Sequence, residues 1–478
     1  MSFLKKLASQ TAVYGLSSML GRFINFLLVI PHTKLFHGVD TYGNMSTIFA
    51  TLAFLNILLT YGMETTYFNF IRQENAPKKI FSISQKSIFI TTFLFFGLCF
   101  LFVPQCAYLL GFPENEEYIY IILIFLVFDT ISVLPFARLR FEEKPMKFAF
   151  IKMVNIIINV ALNLYLLIDT PEFLMGYNQV SLVLLANAAA SVCSFILLSP
   201  IAFDIKHPFD FSLYKKMLKY AWPLIFVGFA GIINETLDRI LLNKLAVNGN
   251  YQTGIYSAFY RLSMVMTMFV QAYKFAAEPF FFKQTTGDSK NVYAVTMYWF
   301  TGVCAVIFLG CMLFDTWLAH LFIKNKEYFI NPNGIAIVPI LLLANLFLGI
   351  YYNLSIWYKL SNNTKMGAVI AAAGAVITIA GNIIFIPLYG FTACAWITLI
   401  VYFLMCVASY LLGNRYFKVP YRIINISFVI LLSVGLWQMN LLLTNGLSEN
   451  WKIICIKLVL LILLVLIIWV LQPKAKKA

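Results

Sequence analysis

The sequence predicts an all-α polytopic membrane protein of about fourteen transmembrane helices, built as two pseudo-symmetric six-helix lobes plus two C-terminal helices. Three observations predict it. Of 478 residues, 61% are hydrophobic and only 12% charged, where a soluble chain carries roughly a quarter charged. Apolar stretches long enough to cross a bilayer recur along the whole chain. When those stretches are made to alternate, the basic residues collect on one side. The net charge of +15 is therefore assigned to loops that fix orientation, and no nucleic-acid partner is expected.

The elements follow in order. The opening MSFLKKLASQ leads into an apolar run too long for a signal peptide and without a small-residue cleavage site, so residues 10–36 are predicted as the first span. Further spans are predicted at 42–70, 83–111, 117–141, 146–169 and 177–203. A second set follows at 214–246, 252–283, 291–323, 332–359, 364–388 and 390–413, then a final pair at 422–443 and 452–472. With the N-terminus placed in the cytoplasm, 24 of the 35 Lys and Arg fall in cytoplasmic segments and 5 in outer ones, so both termini are expected inside. No loop much exceeds a dozen residues, which leaves no room for a soluble domain. The eight cysteines form no CxxC pair and lie mostly in apolar segments, so they read as small core residues rather than metal ligands or disulfides.

Two halves are visible. Each opens with a long helix, a short outer turn and a second long helix. Gly43-Asn44-Met45-Ser46 follows the first turn and Gly254-Ile255-Tyr256-Ser257 the second, 211 residues later. Lys147 and Asn163 match Lys365 and Asn382 at offsets of 218 and 219. The expected division is an N-terminal lobe at 1–205, a C-terminal lobe at 206–415 and two additional helices at 416–478. Parallel repeats of this kind place a site at the repeat interface.

Polar residues inside the spans mark that site, because intramembrane charge is costly and faces a bundle interior or an aqueous cavity. In the eighth span, Thr253, Ser257, Tyr260, Met264, Thr267, Gln271, Lys274 and Glu278 recur at steps of three and four, with Arg261 beside them. Thr11, Ser18, Arg22, Asn25 and His32 do the same in the first span, and Lys152, Asn155, Asn159 and Asn163 in the fifth. The seventh carries Asn234 and Asp238, and also Glu235 and Arg239 in the order that favours an intrahelical ion pair. Asp238 is matched with Arg261 as its partner, both lying in the outer thirds of their helices. The candidate cavity residues are Arg22, Asn25, Lys152, Asn159, Asn234, Asp238, Tyr260, Arg261, Gln271 and Lys274, with Glu64, Asp129 and Glu278 as candidates for ion coupling. The competing reading of each stripe is hydrogen bonding between helices, and Lys152 can instead snorkel. Tyr351, Tyr352 and Trp357 suit either sugar stacking or an interfacial aromatic belt. There is no GxxxxGK[ST] loop, no HExxH, no GxSxG and no clustered Cys/His set, so no enzyme activity, catalytic residue, metal or cofactor is expected.

Six segments carry a family resemblance: YGMETTYFNF (61–70), LRFEEKPMKFA (139–149), YAWPLIFVGFAGIINETLDRILL (220–242), GIYSAFYRLSMVM (254–266), VPILLLANLFLGIYYNLSIWYKL (338–360) and NIIFIPLYGFTACAW (382–396). Their order over nearly the whole chain resembles the polysaccharide transporter family of the multidrug/oligosaccharidyl-lipid/polysaccharide superfamily, the O-antigen and capsule repeat-unit flippases. The resemblance implies a MATE-like fold and alternating access around a cationic cavity. The implied cargo is an undecaprenyl-diphosphate-linked oligosaccharide, moved to the outer leaflet of a bacterial inner membrane. The implied partners are that lipid-linked oligosaccharide, membrane lipids and the polysaccharide polymerase machinery. The residues fit this chemistry on their own terms: Arg and Lys replace phosphate hydration, while Asn, Gln and Tyr bond hydroxyls. Alternatives are a lipid II flippase, an ion-coupled multidrug extruder of the same superfamily, or an O-antigen polymerase or ligase. An extruder of cationic drugs would prefer an acidic cavity, and a polymerase a large outer loop.

Overall fold

The computed structural model describes residues 20–74, 76–283, 289–361, 363–444 and 450–472. Among the described residues there are helices and no strand. Fourteen helical rods follow one another, one for each predicted span. They are α1 (20–35, with a turn at Leu28), α2 (Val39–Thr60 with Met63–Glu74), α3 (Pro77–Leu101 with Val103–Leu110), α4 (Glu116–Phe141), α5 (Pro145–Ile168), α6 (Gln179–Ala202) and α7 (Phe211–Leu245). Next come α8 (Gly249–Lys283), α9 (Ser289–Leu313 with Asp315–Phe322), α10 (Asn333–Leu354 with Ile356–Leu360), α11 (Thr364–Tyr389), α12 (Phe391–Tyr416), α13 (Ile423–Thr444) and α14 (Trp451–Val470).

Eleven of these are long and apolar enough to cross a membrane. The remaining three are α1, whose predicted start lies outside the described residues, and α7 and α8, which carry the intramembrane charges singled out above. Large apolar side chains such as Leu101, Ile168, Leu442 and Val470 stay exposed, as surfaces solvated by hydrocarbon do. The chain is a multi-pass membrane protein.

Local chemistry sets the helix ends. Asn178 accepts the Ser181 N–H at 3.0 Å and starts α6; Asp210 accepts the Leu213 N–H at 3.0 Å and starts α7. The break in α2 falls at Tyr61 and Gly62, both at positive φ. At Gly62 a Cβ would lie 2.8 Å from Leu224 Cβ, so the break is also where α2 presses on α7. The prolines Pro135, Pro223, Pro339 and Pro387 sit within continuous helices, and the interruptions fall elsewhere, at Leu28, Tyr61–Gly62, Phe102, Phe314 and Ser355.

The chain packs as two compact units, Met1–Ser257 and Ala258–Ala478. In unit 1, α4 packs along α6, α6 along α5, α3 along α4, and α2 along α7. In unit 2, α10 packs along α12, α11 along α12, and α9 along α13.

The start of α8 crosses the start of α2 inside unit 1. A Cβ on Gly43 would lie 1.9 Å from the Asn250 carbonyl oxygen, and one on Gly254 would lie 2.1 Å from the Val39 carbonyl oxygen. Gly43 and Gly254 are the glycines that align between the two halves, and Val39 and Asn250 share the same spacing of 211. The contacts are therefore reciprocal, as a pseudo-two-fold relation between the two helix starts requires. Only glycine allows two helix backbones to approach so closely.

Candidate functional site

The asparagine stripe of α5 divides between two neighbours. Asn155 donates to Ser194 of α6 at 2.9 Å. Asn163 donates to Asn159 Oδ1 at 2.7 Å and meets His32 of α1 at 3.1 Å. Asn159 in turn approaches Asn25 Oδ1 at 3.5 Å. An amide chain thus runs Asn25–Asn159–Asn163–His32 and joins α1 to α5, a bonding mode common between membrane helices. One turn away, Arg22 is exposed, and no carboxylate among the described residues pairs with it.

Lys152 is half-buried, with its ammonium 4.2 Å from the centroid of the Phe136 ring. Desolvated cation–π contacts of this kind are worth about 1–2 kcal/mol. Asp129 accepts a 2.6 Å hydrogen bond from Asn56 of α2 and feels the Lys152 charge. Glu64 is ion-paired with Arg140, whose guanidinium lies 5.4 Å over Phe68. That pair ties α2 to α4.

On α7, Asn234 and Asp238 are buried. Tyr256 donates to Asp238 Oδ2, the Arg239 N–H donates to Oδ1 at 2.8 Å, and the Arg239 guanidinium lies 3.8 Å from the same oxygen. Within unit 1 the partners of Asp238 are thus Arg239 and Tyr256, the residue two turns after the start of α8 that follows Gly254 and Ile255. Arg239 also reaches the Glu235 carbonyl at 3.2 Å and the Tyr256 ring at 5.9 Å.

In unit 2, Tyr260, Arg261, Gln271 and Lys274 of α8 are all partly exposed. Lys274 sits 4.5 Å over the Tyr352 ring, and its neighbour Tyr273 donates to Asn353 at 2.5 Å, so α8 and α10 are joined there. The Glu278 side chain lies outside the described residues. Trp357 is neither a sugar platform nor an interfacial anchor. It is buried, donates to Ser409 at 3.1 Å and stacks on Tyr416 at 5.6 Å. The small Gly413 makes room for it, 3.0 Å from the Trp357 ring to a would-be Cβ.

The arrangement offers cations, amides and phenols within helices. Among the described residues, no group of three His, Cys, Asp or Glu converges to hold a metal. Sequence reasoning missed Asn56 and Tyr256. Residues 7–285 match the family described as "Polysaccharide biosynthesis protein". The chain belongs to that family.

No curated protein matches it. Among solved structures, it is similar to the lipid II flippase MurJ in an inward closed conformation, at TM-score 0.71 and 15% identity, covering 95% of this chain and 97% of that one. An inward-facing MATE family multidrug transporter of the MOP superfamily gives TM-score 0.62 at 14% identity over 85% and 94%. The MATE multidrug transporter DinF-BH gives 0.61 at 15% over 87% and 96%. This polysaccharide biosynthesis protein thus has the fold of the superfamily that its sequence resembles.

Proposed function

We propose that the chain is a flippase that carries an undecaprenyl-diphosphate-linked oligosaccharide across a bacterial inner membrane by alternating access. The cargo is an O-antigen, capsule or exopolysaccharide repeat unit. The observation that carries this reading is the pair of intramembrane arginines, Arg22 and Arg261, with no paired carboxylate among the described residues of a polysaccharide biosynthesis family member. Charge within a span is retained where it meets a charged ligand or an aqueous path, and a diphosphate is the anion such a cargo supplies.

In this reading the lobes are 1–205 and 206–415, with 416–478 as additional helices, and both termini face the cytoplasm. Arg22, Asn25, Lys152, Asn159, Asn234, Asp238, Tyr260, Arg261, Gln271 and Lys274 meet the cargo. Glu64 is engaged by Arg140, so ion coupling falls to Asp129 or Glu278. The Gly43–Gly254 crossing closes the outer end and has to part for release.

The test is made in cells. Depletion of the chain should leave the lipid-linked oligosaccharide on the cytoplasmic leaflet and strip the surface of polymer. Unchanged surface polymer refutes the reading, and arrest of lipid II display in its place assigns the other cargo.

A further inference from the structure

Unit 1 contains a cavity of about 550 Å³ where the α1–α2, α3–α4 and α5–α6 connections meet. Asn44, Asn115, Asn178, Gln179, Tyr118 and Tyr177 line it, together with two threonine hydroxyls, His37 and four apolar side chains. No Asp, Glu, Lys or Arg does. Its size is that of a small-molecule site.

The walls are fixed by bonds that engage the lining amides only in part: each Asn or Gln side chain has two N–H donors and two acceptor lone pairs, and one of a kind is used. Gln179 donates to the Leu35 carbonyl at 2.7 Å and accepts from the His37 N–H at 2.9 Å, which pins the α1–α2 turn to the start of α6. Glu117 stands behind the wall and gathers Asn115 at 3.1 Å and Asn178 at 3.3 Å. The amides are held in place before any ligand arrives, which lowers the ordering cost of binding.

The lining selects a chemical class. A diphosphate would find no cation, a cationic drug no carboxylate, and a hydrocarbon would strand the amides. A saccharide offers hydroxyls that donate and accept, together with a C–H face for a phenol ring. Tyr177, on the rim, is exposed.

We propose that this cavity is a subsite for an uncharged saccharide, and that it receives the sugar head of the cargo at the outer end of unit 1. The placement rests on the flippase reading; the saccharide chemistry rests on the lining alone. The basic residues near this end are Lys34 and Lys244, whereas the opposite end of the same helices is rich in Lys and Arg.

The experiment uses the purified full chain in detergent. The probe is the free oligosaccharide released by mild acid from the lipid-linked pool of the source cells. Saturation-transfer NMR should show binding to the wild type. Thr41→Trp, which places an indole in the cavity, should weaken it about tenfold or more, and Thr41→Ser should retain it. Tyr177→Ala lies outside any helix and gives the same readout if Thr41→Trp does not fold. No transfer to the wild type, or equal transfer to the filled variant, overturns the subsite. Translocation of the intact lipid-linked oligosaccharide is measured separately in vesicles. Translocation without oligosaccharide binding removes the subsite and leaves the flippase reading standing. Binding that Thr41→Trp abolishes, without translocation, supports the subsite and removes the flippase reading.

Discussion

At one end of unit 1, Arg138 bridges Glu142 at 2.7 Å and Asp204 at 2.8 Å while its guanidinium lies 4.7 Å over Phe81. Lys79 pairs with Asp210 at 2.9 Å, Arg140 with Glu64, and Lys86 donates to the His207 carbonyl at 2.7 Å. These contacts clamp α2, α3, α4, α6 and α7 together. At the other end α1, α4 and α6 are tied by Gln179, Asn178 and Asn115 around a cavity without charged lining. The difference teaches what each end is free to do. Ionic groups already paired in a clamp have little capacity left for a ligand. Amides that use one N–H or one lone pair in a tie keep the rest. The charged end is also the end that positive residues hold in the cytoplasm in the proposed topology.

The largest effect should come from cutting the clamp. Arg138→Ala leaves two carboxylates without their shared partner and should cost about 3 kcal/mol, read as a lowered thermal transition of the purified protein. Arg138→Lys keeps the charge without the fork and should recover only part of it. Equal stability of all three forms would mean that the charged end is not a clamp.

Next is the crossing at the other end. Gly43→Ala drives a methyl into the Asn250 carbonyl and should cost about 2 kcal/mol or part the helices. Gly254→Ala should act alike, because the contact is reciprocal, and the double variant should cost less than the two singles added. Full additivity would show that the two glycines do not share one contact.

The smallest effect is that of pH. Hydrogen bonding from Arg138 holds the Asp204 carboxyl below its usual range, and Lys79 does the same for Asp210. Partial burial opposes ionisation of Glu142, but hydrogen bonds from Lys144 and Arg138 outweigh it and lower its pKa too. A depressed carboxylate contributes stability above its unfolded value and loses it as pH falls through the folded one. The clamp should therefore hold at neutral pH and loosen only below about pH 4. Hydrogen exchange along 203–210 should rise there, and a rise already at pH 6 would contradict the assignment.

Much of this was legible in the sequence. Helix number and order follow from apolar runs and turn residues, and every predicted span has its rod. The repeat was visible in Gly43 and Gly254, although nothing in the sequence said that the two glycines touch. Pairing was less legible. Asp238 and Tyr256, or Asn56 and Asp129, meet through the rotation of each helix about its axis, which neighbours fix and periodicity does not. Trp357 shows the same limit, since an aromatic near a helix end reads as interfacial until Ser409 and Gly413 are seen to make room for it. The loop cavity had no signal at all, because its lining comes from three connections far apart in sequence.

The most direct measurement uses vesicles loaded with the lipid-linked oligosaccharide and reconstituted with the purified chain. A membrane-impermeant glycosidase reads how much sugar reaches the outer leaflet. Wild-type vesicles should expose sugar initially inside, and Arg22→Ala should slow that about tenfold or more at unchanged protein content, the size expected for losing one charge-assisted phosphate contact. Exposure no faster than in protein-free vesicles, or an Arg22→Ala rate equal to the wild type, would contradict the cationic flippase.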